Sequence, residues 1–369
     1  MPPKKTKRRS PPATASTAKS NPPTPWIEIP VFIHGVTPDR DPEKDLRDPI
    51  THQLDPRRGV HDAEYASLFQ LIQRALDDLP EHLRVDKPNW KEPLEPASQP
   101  IKIEWGWGLE SPGGNSGALQ SEQMDRYLAE VERKVADRVI AIEKSIQDRT
   151  INPLRSVYQY VRRDVFPYAV PDLFYYVSRD GELTLRKRIF TYLCDEIERR
   201  AKAPARVSLT LIGHSAGSVI AHDLLFHLFR QEKDKEVPAV NRLRARVEAK
   251  ELRVRRFYTF GSPITALMFR SNSLVEKVMT GSQLNPENLG LRSSDKLKLS
   301  VPRWVNFWDI DDILSFPVEP FYRKNASDEV VVEDHYIDDD FDFARDWFPK
   351  VHNSYWRSPK VAQYIAETL

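Results

Sequence analysis

Short apolar runs alternate with amphipathic stretches along the chain, and this alternation predicts an α/β fold. The apolar runs are rich in β-branched and aromatic residues and are bounded by turn residues, which is typical of strands. They comprise residues 30–36, 101–105, 207–212, 254–260 and 304–308. The pattern favours a mostly parallel central sheet with helices on both faces, because strands of such a sheet are buried on both sides.

Apolar residues at helical spacing predict the helices that connect these strands. One such stripe runs from Tyr65 to Leu79 after the first strand, and residues 219–225 predict a helix after the third. A longer stripe at residues 124–146 predicts an amphipathic helix that packs on its own domain or, as the alternative, on a partner helix. Residues 109–182 are predicted to form an inserted helical cap over the strand ends. The aromatic residues of this cap form either its own core or the wall of a pocket.

The first 25 residues differ in composition from the rest of the chain. Residues 1–25 are rich in Pro, Lys, Ser and Thr and contain a basic cluster at residues 4–9, so we expect them to be disordered. They lack the apolar core of a secretory signal. The basic cluster is a nuclear-import signal, an anchor for anionic lipid or nucleic acid, or a solvated tail. Residues 26–369 are predicted to form a single α/β domain.

Charge and cysteine content narrow the class of protein further. The 55 Lys and Arg residues nearly balance the 54 Asp and Glu residues, so the net charge is +1 and the body of the chain is not expected to bind nucleic acid. The single cysteine, Cys194, cannot form an internal disulfide and suits a reducing compartment, so we expect a cytoplasmic protein. Its place in an apolar helical run predicts a buried thiol. The sequence has no apolar stretch long enough to cross a bilayer.

No metal or cofactor is expected from the sequence. The acidic run at residues 338–342, with Asp334 and His335 before it, lacks the spacing and the glycine of an EF-hand loop, so it is interpreted as a solvated acidic loop. The glycine-containing segment at residues 111–117 lacks the Lys-Ser/Thr ending of a phosphate-binding loop and is interpreted as a connection.

The pentapeptide Gly213-His214-Ser215-Ala216-Gly217 carries the clearest sign of chemistry. It is a G-x-S-x-G sequence between a predicted strand and a predicted helix, which is the arrangement of a nucleophile elbow. A turn this tight forces Ser215 into a strained backbone conformation and lifts its hydroxyl clear of the sheet. Side chains at Gly213 and Gly217 would collide with neighbouring backbone, so glycine is needed at both positions.

From this elbow outward, the sequence resembles the α/β-hydrolase superfamily, and within it the serine hydrolases of the lipase and esterase type. Residues 30–36 are similar to the strand that enters the oxyanion-hole turn of that family, and residues 259–263 to a strand end beside its active site. The resemblance implies that the backbone N–H groups of Val36 and Ala216 form the oxyanion hole. The segment after His34 lacks the glycine run of the HGGG-type esterases.

The resemblance also implies a catalytic triad in the chain order that this fold uses, Ser215, Asp312 and His352. Asp312 follows the predicted strand at residues 304–308 and precedes an apolar pair, as the family's acid does. His352 lies before a short C-terminal helical run and matches the family's catalytic-histidine loop. In such a triad the imidazole takes the serine proton, and the carboxylate fixes the imidazole tautomer.

Other residues of the right type compete for these roles. His335 also follows the acid strand and is the rival base, while Asp309 and Asp311 are rival acids that we expect in a solvated loop. His34 lies beside the predicted oxyanion turn, where a structural role is expected. His214, next to Ser215, is expected to pack or to form hydrogen bonds.

The sequence therefore predicts a serine hydrolase that cleaves carboxylic esters, of lipids or lysophospholipids, through an acyl-enzyme. The expected partners are that ester substrate and, through the basic tail, an anionic membrane surface. Thioesters and amides are alternative substrates because a triad does not record the leaving group. The alternative from another class is a catalytically idle α/β-hydrolase scaffold that binds a partner through its long helix and basic tail.

Overall fold

The fold is described from a computed structural model of the 369-residue chain. The described residues are 26–36, 62–84, 87–88, 90, 94–105, 176, 186–202, 205–229, 237–268, 284, 289, 303–312, 314–322, 332–337 and 348–369. The predicted basic tail, the acidic run and all of the predicted cap except Tyr176 lie outside them, so the expectations for those segments stay predictions.

The described strands form one six-stranded sheet in which every pairing is parallel. Their order across the sheet is β2-β1-β3-β4-β5-β6. The strands are β1 (Trp26–Val36), β2 (Ile101–Trp105), β3 (Arg206–His214), β4 (Leu252–Phe260), β5 (Arg303–Trp308) and β6 (Val332–Tyr336). The predicted α/β class with a parallel sheet is confirmed. β6 was not predicted, and β1 begins four residues earlier than the predicted run, which starts at Pro30.

Helices lie between the strands along the chain and after the last strand, and they cover both faces of the sheet. They are α1 (Asp62–Asp78), α2 (Glu81–Arg84), α3 (Lys187–Arg200), α4 (Ala216–Phe229), α5 (Pro238–Glu248), α6 (Ile264–Met268), α7 (Phe348–Ser354) and α8 (Pro359–Thr368). None of the helices in the described part of the chain is long and apolar enough to cross a membrane.

Two apolar cores, one on each face of the sheet, explain why the strands are apolar on both sides. Successive side chains of β1 point to opposite faces, so Val31 packs in one core and Phe32 in the other. The core around Val31 is completed by α3, α4 and α5, and the core around Phe32 by α1 and α8. The helices on both faces that the sequence predicts are therefore present.

The predicted buried thiol is also confirmed. Cys194 lies in α3, fully buried in the first of these cores, and burial raises the pKa of its thiol. A thiol of this kind is inert packing rather than chemistry.

The parallel sheet places the carboxyl ends of all the strands at one edge. β1 ends there at Val36, β3 is followed there by Ser215, and β5 is followed there by residues 309–312. In open parallel sheets this edge is where ligands bind, because loops from several strands converge on it. The fold therefore brings the sequence-predicted site residues to one region although they lie far apart along the chain.

Candidate active site

Ser215 occupies a tight turn between β3, which ends at His214, and α4, which begins at Ala216. Its backbone φ is +52°, in the left-handed region that residues other than glycine seldom adopt. The Ser215 backbone N–H donates to the carbonyl oxygen of Phe260 at 3.0 Å, which ties the turn to the end of β4. Backbone strain of this kind persists only where the surrounding structure imposes it, and it is concentrated at functional sites.

Three glycines leave the space that this turn needs. A Cβ atom on Gly213 would lie 2.7 Å from the Ser218 Cα, and one on Gly217 would lie 2.2 Å from the carbonyl oxygen of Ile33. A Cβ atom on Gly35 would lie 2.5 Å from the Ser215 Cβ and 2.9 Å from its Oγ. The end of β1 therefore lies in direct contact with the Ser215 side chain.

We expect Gly217→Ala to destabilise the protein by roughly 3 kcal/mol or more, because the added methyl group meets backbone that cannot move aside cheaply. Urea unfolding of the variant measures the loss. Glu248→Ala, on the exposed end of α5, is the control and should stay within about 0.5 kcal/mol of wild type. A Gly217→Ala protein as stable as wild type would mean that α4 does not approach β1 as closely as the structure has it.

His352 and Asp312 form a buried pair at the same edge of the sheet. The His352 Nδ1 lies 3.0 Å and 2.9 Å from the two carboxylate oxygens of Asp312, which is only 1% exposed. The backbone N–H of Leu314 donates to Asp312 Oδ1 at 3.1 Å and fixes the carboxylate. Because a carboxylate accepts, Nδ1 carries the proton, which leaves Nε2 as the basic nitrogen of the neutral ring.

Gly261 makes room for the acid and the base at the end of β4. It follows β4 with a φ of +58°, and a Cβ atom there would lie 2.8 Å from His352 Cε1 and 3.1 Å from Asp312 Oδ2. Its neighbour Phe260 accepts the hydrogen bond from the Ser215 backbone. The serine turn and the His–Asp pair thus lie against adjacent residues of one strand end.

The resemblance implies two oxyanion donors, one at the start of a helix and one at the end of a strand. Ala216 is the first residue of α4, and the N–H groups at a helix start have no partner within the helix, so they can serve an anion. Val36 is the last residue of β1 and lies opposite Trp105 of β2, after an irregularity in the strand pairing between Ile33 and Val36. Its role as a donor stays a prediction.

The described contacts of the rival residues differ from those of this pair. His335 lies on β6, where its ring centroid is 4.0 Å from that of Tyr364 and 5.7 Å from that of Phe307. Burial lowers the pKa of His335. The expectation that Asp309 lies in a solvated loop is wrong: it is 3% exposed, and its Oδ1 accepts the backbone N–H of Asp311 at 2.9 Å. A carboxylate that caps its own turn in this way is held inward by the backbone.

We expect His335→Ala to keep ester turnover within a few-fold of wild type, because its described ring contacts are with core aromatic residues. Steady-state kinetics on a soluble ester provide the measurement. A dead His335→Ala enzyme beside an active His352→Ala enzyme would transfer the role of base to β6.

His352 itself differs in one respect from its prediction. The sequence places it in a loop before the C-terminal helix, whereas the structure places it inside α7, with α8 following it.

His34, near the end of β1, stacks on Trp356 with ring centroids 5.1 Å apart and an interplanar angle of 10°. The structural role expected for His34 agrees with this packing.

Tyr355 is a neighbour of the site that sequence reasoning missed. Its ring lies 5.6 Å from that of Phe260, and burial, followed by the charge of Asp312, raises the pKa of its hydroxyl well above the usual value. Because the Tyr355 hydroxyl stays neutral, it adds no second negative charge beside Asp312. Nothing in the aromatic stretch at residues 355–356 distinguishes this position from ordinary core packing.

A second buried ionic cluster lies on α4, the helix that Ser215 precedes. The Tyr176 hydroxyl donates to Asp223 Oδ2 at 2.9 Å, and the Arg186 Nε lies 2.6 Å from the same oxygen. Burial opposes ionisation of Asp223, but His227, Arg186 and Tyr176 together lower its pKa. These contacts anchor the chain before α3 on the helix that follows the serine turn.

Within the described residues, no group of three or more His, Cys, Asp or Glu side chains is placed to hold a metal ion.

Comparison with known proteins adds little to this picture. No protein-family model matches the chain, and no curated protein matches it. One solved structure to which the chain is similar is that of the Tle1 effector bound to the VgrG spike from the Type 6 secretion system. The sequence identity is 13% and the TM-score is 0.27, with 88% of this chain and 54% of the other chain covered, so this chain spans about half of that protein. A similarity this low identifies no function for this chain.

Proposed function

We propose that the chain is a serine hydrolase of the α/β-hydrolase type that cleaves carboxylic esters through an acyl-enzyme. The observation that carries the proposal is the strained Ser215 turn beside a buried His352–Asp312 pair at the carboxyl edge of a parallel sheet. A serine hydroxyl needs an adjacent base to become nucleophilic, and a buried histidine needs a carboxylate to become a stronger base.

In the proposed first step, Ser215 Oγ attacks the ester carbonyl carbon while His352 Nε2 takes the hydroxyl proton. Asp312 stabilises the resulting imidazolium through its contact with Nδ1. Collapse of the tetrahedral intermediate breaks the bond to the leaving oxygen, which receives the proton from His352. The acyl group then stays on Ser215 until water, activated by the same imidazole, releases the carboxylic acid.

Charge that develops on the carbonyl oxygen requires fixed donors in the proposed reaction. The N–H of Ala216 at the start of α4 is the donor that the described geometry supports best, because the helix start favours negative charge. Val36 is proposed as the second donor, since Gly35 before it contacts the Ser215 side chain. One donor of this kind contributes a factor of about 100 to 1,000 in turnover.

The proposed substrates are lipid or lysophospholipid esters, with thioesters and amides as the comparison classes. The aromatic-rich sequence predicted for the cap supports an acyl chain as part of the substrate. Hydrolysis of chromogenic esters of increasing chain length, beside thioester and amide analogues, ranks these classes. A burst of alcohol release equal to the enzyme concentration would reveal the acyl-enzyme.

The competing proposal is a scaffold that binds a partner without catalysis. The contact between His352 and Asp312 favours the enzyme, because burial of the Asp312 carboxylate costs desolvation that a scaffold has no reason to retain. Complete absence of both a burst and steady turnover, across the whole ester series, would favour the scaffold.

We also propose a cytoplasmic protein whose basic tail touches anionic membranes. Deletion of residues 1–25 should leave turnover of a soluble short-chain ester unchanged, because a segment of this composition, which we expect to be disordered, contributes no catalytic geometry. The deletion should weaken binding to anionic vesicles at low salt. At high salt the deleted and full-length chains should differ little, because screening removes the attraction. Kinetics and vesicle sedimentation provide the two measurements. A large fall in turnover would mean that the tail takes part in the site.

A further inference from the structure

His214, the residue before the nucleophile, contacts the backbone of the proposed base. Its Nε2 lies 2.7 Å from the carbonyl oxygen of His352, and the two rings are 4.6 Å apart between centroids. A carbonyl oxygen can only accept, so His214 Nε2 must carry the proton and donate. The two groups are 138 residues apart in sequence, and both are buried.

The carbonyl that His214 binds lies near the end of a short helix. His352 belongs to the last turn of α7, which ends at Ser354 and is followed directly by the 3-10 helix Tyr355–Arg357. Carbonyls at a helix end take hydrogen bonds from outside the helix, and such bonds stabilise the end where it is buried. His214 therefore fixes the end of the short helix that carries the base.

The His214 ring is itself held firmly by its neighbours. Its centroid lies 4.8 Å from that of His34, 5.3 Å from that of Phe260 and 5.3 Å from that of Trp356. Close packing of this kind allows little change of rotamer. The core thus fixes the position of the His214 Nε2–H donor, and the hydrogen bond from this donor fixes the backbone of His352.

We propose that His214 is a positioning residue: its Nε2–H holds the His352 backbone so that the His352 Nδ1 stays on Asp312. The inference rests on the proposed function, since it matters only where His352 acts as the base. Misplacement of a catalytic group by about 1 Å can cost about a hundredfold in rate, so one hydrogen bond at this point has a large effect on turnover.

Two amide substitutions at His214 separate positioning from simple packing. In His214→Gln the side-chain NH₂ stands three bonds beyond Cβ, as Nε2 does in histidine, whereas in His214→Asn it stands where Nδ1 was. We expect His214→Gln to retain most of the turnover of a soluble ester. His214→Asn should lose about 10- to 100-fold in kcat with little change in KM, because substrate binding does not use this contact. Equal turnover of the two variants, or a loss confined to KM, would overturn the proposal.

The tautomer of His214 in the wild-type protein provides a second measurement. Nitrogen NMR of histidine-labelled protein should show His214 protonated at Nε2 and His352 protonated at Nδ1, with the His214 signal identified by its loss in His214→Gln. A His214 protonated only at Nδ1 cannot donate to the carbonyl and would overturn the proposal. Reaction of the wild-type protein with a fluorophosphonate tests the proposed function separately, so that either idea can fail alone.

Discussion

Replacement of Ser215 with alanine should lower ester turnover by roughly a thousandfold to a millionfold, as deletion of a triad member does in serine proteases. The variant loses the proposed nucleophile, the Ser215 Oγ, but keeps whatever oxyanion stabilisation and substrate binding the site supplies. Because alanine has the same backbone preferences as serine to a first approximation, the turn at φ +52° should survive and the protein should fold.

Steady-state kinetics of Ser215→Ala, with circular dichroism to verify the fold, provide the measurement. Ser98→Ala is the matched control, since Ser98 lies in the short 3-10 helix Pro96–Ser98 before β2 and not at the carboxyl edge of the sheet. It should show wild-type turnover. Near-normal turnover in a folded Ser215→Ala protein would end the serine-hydrolase account.

Replacement of Asp312 with asparagine should lower turnover by up to roughly ten-thousandfold, by analogy with the same change in a serine protease. The asparagine can present an NH₂ group to His352 Nδ1, which then accepts instead of donating, so the proton moves to Nε2 and the ring can no longer act as the base. The backbone N–H of Leu314, which now donates to Asp312 Oδ1, still has a side-chain oxygen to accept it, so the loop should keep its shape.

Asp311→Asn is the control for this change, because it alters the same residue type one position away without touching His352. It should cost little turnover. His352→Ala should be about as damaging as Ser215→Ala, and the double variant should be little worse than either, because members of a triad act as a unit. Additive losses in the double variant would show that Ser215 and His352 do not act in one step.

Local sequence patterns predict much of the fold. The apolar runs predict β3 and β5 because a strand buried on both faces has few polar residues to interrupt it. β6 (Val332–Tyr336) was missed for the opposite reason: among the described strands it pairs only with β5, and its side chains are largely half-exposed and polar. The early start of β1 was missed because Glu28 breaks the apolar run, although Arg253 compensates its charge at 3.1 Å.

The site was less predictable than the fold, because its geometry depends on contacts between distant segments. The strand–turn–helix around Ser215 is local, and the sequence predicts it. That Asp309 is buried by capping its own turn, or that Gly261 makes room for the His352–Asp312 pair, depends on how separate strand ends meet. His352 lies in a seven-residue helix too short for a periodic apolar pattern to reveal.

The central claim, that Ser215 is an activated nucleophile, is tested most directly by the site at which a fluorophosphonate bonds to the protein. Mass spectrometry of the labelled and digested chain should find one phosphonyl group, on the peptide that contains Ser215, and prior treatment with an ester substrate should slow its formation. Labelling should be much slower in His352→Ala, because the hydroxyl then lacks its base. No adduct on Ser215 in a folded wild-type protein, or equal labelling of wild type and His352→Ala, would contradict the account.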